Sequence, residues 1–288
     1  MSVVLVTGAS SGIGRACAER LARAGHTVYG TSRGAGPIAA LPPAPTAAPT
    51  AAPTAAPAPG ADPAPILVRM ELTDDESVRG VIDGIRHREG RLDAVVNNAG
   101  YGLAGAVEDT SIAEAQAQMD ANFLGAVRVC RAVLPHMRQR GGGCIVNVTS
   151  MAGLVGIPFQ SFYTASKFAL EGFSSALRAE VHPYGIRVVV IRPGDFQTGF
   201  TSGRRRVGSW DTSAYRARCE QALAIMEREE QQGPSPAGIA ELVTRVVEGN
   251  DAGTSFVVGN VGQRALIALR RLLPERGVDQ LLRRYYRL

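Results

Sequence analysis

Apolar runs of strand length alternate with segments of helical periodicity, and this alternation restricts the possible fold more than any other feature of the chain. VVLVT (3–7) precedes a helical segment at 15–24 and the run TVYGTS (27–32); ILVRM (66–70), a helical segment at 77–88 and LDAVVN (92–97) follow after a gap. The pattern then predicts a long helix over 112–140, the strand CIVNVTS (144–150), a helix over 161–182 and the strand IRVVVIRP (186–193). Strands this apolar are buried on both faces, so the reading is α/β: one doubly wound parallel sheet with helices on both faces. At 288 residues a single domain spanning the chain is expected. Sheets of this kind bind ligands beyond the carboxyl ends of their strands, so the residues just after each strand are where function is sought.

The first such place holds TGASSGIG (7–14), between a strand and a helix. Gly8, Gly12 and Gly14 allow a tight turn and close approach to a pyrophosphate, with Ser10, Ser11 and Ile13 in the same cradle. The free N–H groups of the helix N-terminus would meet the phosphate charge. The second strand ends in Ser32 and Arg33 rather than an acidic residue. An acid there would hold a free ribose 2′-hydroxyl, whereas Arg33 with Ser32 attracts a 2′-phosphate, so NADP(H) is preferred and NAD(H) remains possible. Glu71 and Leu72, after the third strand, stand where adenine would lie. In NNAG (97–100), Asn98, Ala99 and Gly100 would pass the ribose, and Asn97 can tie strand ends together by amide hydrogen bonds.

Ser150 ends a strand, Tyr163 follows thirteen residues later, and Lys167 lies four beyond it. That last spacing puts phenol and ammonium on one face of a helix, about one turn apart. A phenol titrates near pH 10, and a neighbouring ammonium is expected to bring it down toward the working range of a general acid/base. Ser150 would hold the substrate oxygen, and Lys167 would also bind the nicotinamide ribose. Lys167 is the chain's only lysine among 31 basic residues. A guanidinium with its planar fork and high pKa would not replace a compact ammonium there. Asn122 could bind a water linking Lys167 to solvent, or be a structural asparagine facing the helix interior.

Other classes fare worse. The formal charge is +5, but from Arg264 onward seven arginines face only Glu275 and Asp279, which accounts for the excess. The body has no basic stripe interleaved with aromatics, so no nucleic-acid partner is expected. Cys17, Cys130, Cys144 and Cys219 lie far apart without metal-ligand spacing, as in reduced cytoplasmic proteins, and no metal site is expected. No run reaches the 18 or so apolar residues of a membrane span, and no secretory signal is expected. His26, His87, His136 and His182 stand singly on surface-like segments, and Arg204–Arg206 reads as a solvated loop.

Three segments fall outside the strand–helix rhythm. Residues 34–65 are mostly Ala, Pro and Thr, with TAAP three times in succession; regular proline rules out a helix, so a disordered or polyproline-like insertion is expected. Residues 198–232 are charged and poor in strand signal, as a mobile substrate lid would be. After an amphipathic helix at 235–248 and the strand TSFVVG (254–259), residues 263–288 predict one or two basic helices. Leu266, Ile267, Leu269, Leu272, Leu273, Leu281 and Leu282 alternate there with arginines. Packing onto the domain or a sister subunit is favoured over association with a membrane surface.

TGASSGIG, NNAG, Asn122, Ser150, YTASK (163–167) and Pro193-Gly194 with Thr198, in that order, resemble the short-chain dehydrogenase/reductase superfamily in its single-domain branch. The resemblance covers nearly the whole chain and implies a Rossmann-type fold and a nicotinamide cofactor. It also implies a tetrad of Asn122, Ser150, Tyr163 and Lys167, and contact of the nicotinamide end with Pro193, Gly194 and Thr198. The run 158–181 is similar to the 17β-hydroxysteroid and retinol dehydrogenase group, which implies a bulky apolar alcohol or carbonyl substrate. A homodimer or homotetramer through 112–140 and 161–182 is implied as well. The family usually has Asp where Glu71 stands, and the Pro-rich insertion replaces a helix near the adenosine. Competing readings are a 3-oxoacyl-acyl-carrier-protein ketoreductase, with Arg204–Arg206 meeting the acidic carrier, and an NADP-sensing regulator without turnover.

Overall fold

The computed structural model describes residues 1–36, 63–270 and 273–288, so the core of the Ala/Pro/Thr insertion expected over 34–65 lies outside the described residues. β1 (Val3–Val6), α1 (Gly12–Arg23), β2 (Thr27–Ser32), β3 (Ile66–Arg69), α2 (Asp75–Glu89) and β4 (Ala94–Asn97) make the first half of the fold. A two-residue β5 (Leu103–Ala104) precedes α3 (Ile112–Met119), which passes through a π turn (Asp120–Leu124) into α4 (Gly125–Gln139). β6 (Gly143–Val148), α5 (Ser161–Val181) and β7 (Ile186–Pro193) follow. The remainder comprises α6 (Phe200–Gly203), β8 (Arg205–Arg206), α7 (Arg216–Gln232), α8 (Ala237–Glu248), β9 (Ser255–Val258), α9 (Val261–Arg270) and α10 (Glu275–Tyr286).

Seven strands form one parallel sheet in the order β3-β2-β1-β4-β6-β7-β9, the doubly wound architecture expected from the alternating runs. Side chains alternate between its faces. Val4, Val6, Val96, Val146 and Ile191 pack with α1 and α8, whereas Val3, Leu5, Val95, Ile145 and Val188 pack with α2, α4 and α5. Each fully buried aliphatic side chain contributes about 1.5–3 kcal/mol, so two closed faces stabilise strands of only four residues. The strand order reverses between β1 and β4, which opens a crevice at their carboxyl ends.

A buried polar chain fixes the helix that carries the tyrosine. Asn97 Nδ2 donates to Asn147 Oδ1 at 2.9 Å, Asn147 Nδ2 to Ser174 Oγ at 2.8 Å, and Ser174 Oγ to Leu170 O at 2.6 Å. Bonds in this dry layer lock α5 in azimuth and height against the ends of β4 and β6.

Several boundaries and environments differ from expectation. α1 begins at Gly12 rather than Arg15, because the glycine turn itself supplies its first residues. The predicted 112–140 helix contains the π turn, a local widening that apolar periodicity does not register. His26 and His136 are buried, not superficial: His26 Nδ1 accepts from Ser2 N, and burial with Arg86 and Arg140 nearby lowers the His136 pKa. All four cysteines are buried free thiols. Among the described residues no helix is long and apolar enough to cross a membrane.

Candidate active site

The carboxyl ends of the central strands open into one continuous cleft of about 1410 Å³. At one end, Thr7 Oγ1 accepts from the N–H groups of Asn98 at 2.9 Å and Ala99 at 3.0 Å, and Asn98 Nδ2 donates back to Thr7 O at 3.0 Å. These bonds bring the turns after β1 and β4 together. Gly8 and Gly12 have φ of 67° and 56°, the left-handed region where a side chain is strained. Gly14 does not line the cleft. A Cβ there would lie 2.3 Å from Gly8 O and 2.4 Å from Asn98 Nδ2, so only glycine lets α1 pack this closely on the turn. Gly14→Ala is therefore expected to cost about 1–3 kcal/mol of stability through forced displacement of the turn. NADPH affinity should fall with it. A thermal melt and a fluorescence titration check both, and an unchanged melt would refute the packing argument.

The start of α1 differs from those of α2 and α3. α2 is capped by the Asp74 side chain and α3 by a Ser111–Glu114 capping box, but Ser11 makes no side-chain cap and the first turn of α1 holds no acid. Its N–H groups and positive dipole end face the cleft that Gly8, Ser10, Ser11, Gly12 and Ile13 line, an arrangement that fits a pyrophosphate. Ser32, Arg33, Glu71, Leu72, Asn98, Ala99 and Gly100 line the same end, suiting a nucleotide bound there. Ser32 Oγ accepts from Gly34 N at 3.3 Å, and the exposed Arg33 side chain has no partner among the described residues. Glu71 turns back on its own turn, its Oε1 accepting from Thr73 Oγ1 at 3.0 Å.

Ser150, Tyr163, Lys167, Pro193, Gly194 and Thr198 line the other end. Ser150 follows β6; its hydroxyl accepts from Ala152 N at 3.0 Å, donates to Pro193 O at 3.5 Å, and lowers the pKa of the Tyr163 phenol. Tyr163 and Lys167 stand one turn apart on α5, both buried, with the ammonium 5.8 Å from the phenol ring centroid. Lys167 Nζ donates to Val148 O at 3.1 Å. Burial lowers the Lys167 pKa to about 8 against the opposing attraction of Glu171.

The expected lowering of the tyrosine is not found in this state. Burial pushes Tyr163 up to about 12, the Ser150 hydrogen bond lowers it, and the Glu230 and Asp195 carboxylates raise it further. The physical reason is placement, since Lys167 lies over the ring and bonds Val148 O rather than the phenol oxygen.

Asn122 sits in the π turn, buried behind the cleft rather than lining it. Its Oδ1 accepts from Tyr101 N at 3.0 Å, while Nδ2 donates to Tyr101 O at 2.9 Å and Ser166 Oγ at 3.3 Å. The side-chain amide is thus engaged by protein groups, so a bridging water would have to use the backbone.

Residues 198–232 form α6, β8 and α7 against the cleft, with the Phe200 ring tilted against Tyr163 at a centroid distance of 5.5 Å. The expectation of a solvated Arg204–Arg206 loop fails for Arg204, whose side chain is buried against Glu230 because that carboxylate needs a cation. Arg205 and Arg206 are exposed but lie over Tyr101 and Trp210. In the tail, Ile267, Leu282 and Tyr286 are buried against the body, whereas Leu269 and Leu281 are exposed.

Sequence reasoning missed Asp195, Glu230 and Gln263, all lining the cleft. Asp195 follows Pro193-Gly194 directly at a strand end, so the carboxyl-end rule could have found it. Glu230 and Gln263 come from helices remote in sequence and carry no local signal.

Comparison with known proteins agrees with this geometry. Residues 2–207 match the family model described as short chain dehydrogenase. The chain is 36% identical over 286 residues, 99% of its length and 97% of the other's, to a 3-ketodihydrosphingosine reductase of Bacteroides thetaiotaomicron. It is 37% identical over 200 residues, 68% of its length and 60% of the other's, to retinol dehydrogenase 8 of Bos taurus. The crystal structure of a short-chain dehydrogenase from Streptomyces avermitilis superposes with a TM-score of 0.75 at 29% identity, covering 100% of this chain and 98% of that one. The glycine turn, the YTASK helix, the sheet order and these likenesses converge: the chain belongs to the short-chain dehydrogenase/reductase family and is an oxidoreductase acting between alcohol and carbonyl with NAD(P).

Proposed function

We propose that this protein is an NADP(H)-dependent oxidoreductase for a bulky, apolar, lipid-like ketone or alcohol, with Tyr163 as general acid/base. The carrying observation is the single cleft that joins the uncapped start of α1 to Ser150, Tyr163 and Lys167 and continues to an apolar wall of Leu266, Ile267, Leu281 and Leu282. Reduced nicotinamide, when bound, supplies a hydride to the carbonyl carbon. Ser150 holds the carbonyl oxygen, and Tyr163 gives it the phenolic proton. Lys167 offsets the phenolate left behind and reaches the ribose. Pro193, Gly194 and Thr198 hold the nicotinamide end.

The names of the Bacteroides and Bos relatives, a ketosphingoid reductase and a retinol dehydrogenase, support a long apolar substrate. Turnover of a panel of carbonyls, read by NADPH absorbance with Tyr163→Phe as blank, tests the function. Strict restriction to small hydrophilic carbonyls would overturn the substrate class. Exposed Ile112 on α3, Leu124 at the end of the π turn and Phe168 on α5 support subunit packing through the 112–140 and 161–182 helices.

Preference for NADP(H) rests on the Arg33 guanidinium, which has no partner among the described residues, and the neighbouring Ser32. Arg33→Ala is expected to lower kcat/KM for NADPH about 10- to 100-fold, as the loss of one charged phosphate partner does, and to leave NADH nearly unchanged. Steady-state kinetics with both nucleotides measure this. An unchanged NADPH/NADH ratio would show that Arg33 does not read the phosphate.

A further inference from the structure

We propose that Asp195 is a specificity-determining residue that receives an ammonium group on the carbon next to the substrate ketone, so that the preferred substrate is a long-chain α-amino ketone. This inference rests on the reading of the cleft as a site for a lipid-like ketone.

Asp195 stands at the carboxyl end of β7 and lines the cleft shared by Ser150 and Tyr163. Its Oδ2 accepts from Gln263 Nε2 at 2.5 Å, a neutral donor. No cation is paired with it among the described residues. Arg204, the cation whose charge reaches it, is committed to Glu230. Burial, with the like charges of Glu230 and Glu229, raises Asp195 to about 6. A desolvated carboxylate beside two others and without its own counter-ion is a costly arrangement. A cationic ligand group would relieve it.

The position suits the chemistry. Asp195 and Tyr163 line the same cleft and the Asp195 charge raises the phenol, so a cation bound to the carboxylate would sit in the space where Tyr163 protonates the carbonyl oxygen. The apolar wall of α9 and α10 then takes the alkyl chain. An independent pointer to such a ligand is the Bacteroides relative, 36% identical, named for 3-ketodihydrosphingosine, a compound with an amine on the carbon beside its ketone and a long alkyl tail. The ammonium would also cancel part of the negative field on Tyr163, and the amine-free ketone would lack that effect.

The test compares kcat/KM for a long-chain α-amino ketone with that for the same ketone carrying hydrogen in place of the amine. Truncating one partner of a buried charge pair costs about 30-fold or more, so the wild type should favour the amine by at least that factor. In Asp195→Asn the ratio should fall below about 3-fold, and Asp195→Glu should restore part of it. A wild type that treats the two ketones alike, or an Asn variant that keeps the preference, overturns the proposal and leaves the lipid-ketone reading intact. Failure to reduce any long-chain ketone removes both.

Should the Asn variant not fold, the wild type alone decides through pH. The groups around Asp195 are Glu229 and Glu230 from α7, Arg204 before β8, Gln263 from α9, and Tyr285 and Tyr286 from α10. Protonated Asp195 no longer attracts an ammonium, so the amine preference should decline as pH falls through about 6. A preference constant from pH 5 to 8, a window that brackets the raised value of about 6, contradicts the assignment.

Discussion

Tyr163→Phe is expected to lower kcat for carbonyl reduction about 1000-fold, within the range that a positioned proton donor supplies. The substitution removes one oxygen and leaves the ring against Phe200 and the surrounding packing in place. NADPH affinity should change by less than about 10-fold, because the proposed phosphate contacts lie at the uncapped start of α1 and not at the phenol. The pH profile separates the two directions. With the phenol held up to about 12, free enzyme carries the proton that reduction needs, so reduction should be nearly flat across neutral pH. Alcohol oxidation needs phenolate, and its rate should climb as pH rises. Retention of more than about a tenth of wild-type kcat in the Phe variant would remove Tyr163 from the proton-transfer role.

The value near 12 also shows what sequence spacing could and could not convey. A spacing of four from Tyr163 to Lys167 correctly placed them on one helical face, since a helical repeat is a property of the backbone. The distance from ammonium to phenol oxygen depends instead on where Val148 O lies, because that carbonyl captures Lys167. It belongs to β6, and only the folded sheet brings it there. The doubly wound order was legible for the same reason that the helix face was: strands buried on both sides read as continuous apolar runs. β5 and β8 were not, because two residues cannot show a period and their pairing is long-range. The nucleotide end was legible because its glycines answer to local steric needs, seen in the left-handed φ of Gly8 and Gly12. The acidic wall was not. Asp195, Glu229 and Glu230 meet only through the docking of α7 against the loop after β7, and one of the arginines read as solvated is the counter-ion buried among them.

Lys167→Met is expected to yield a protein more heat-stable than the wild type and about 100- to 1000-fold slower. The ammonium is buried, and its pKa is lowered from the ordinary 10.5 to about 8, so the folded state disfavours the charge. That difference corresponds to about 3 kcal/mol at neutral pH, from which about 1 kcal/mol is subtracted for leaving Val148 O unpaired. Glu171 is not stranded by the change, since Arg192 holds it through two hydrogen bonds at 2.9 and 2.8 Å. The sign follows from proton counting. Between pH 8 and 10.5 the unfolded chain binds a proton at this site that the folded chain has lost, so wild-type stability gains with rising pH across that window. The advantage of Met should therefore be complete below about pH 8 and fade as pH approaches 10.5. A net gain of about 2 kcal/mol amounts to a few degrees in Tm for a domain of this size. Thermal melts of both proteins at pH 7 and pH 10, taken without nucleotide, measure it. A Met variant less stable than wild type at pH 7 would mean that the lysine serves the fold; a stabilised but slow one would mean that the charge is kept in the core for its work on phenol and ribose.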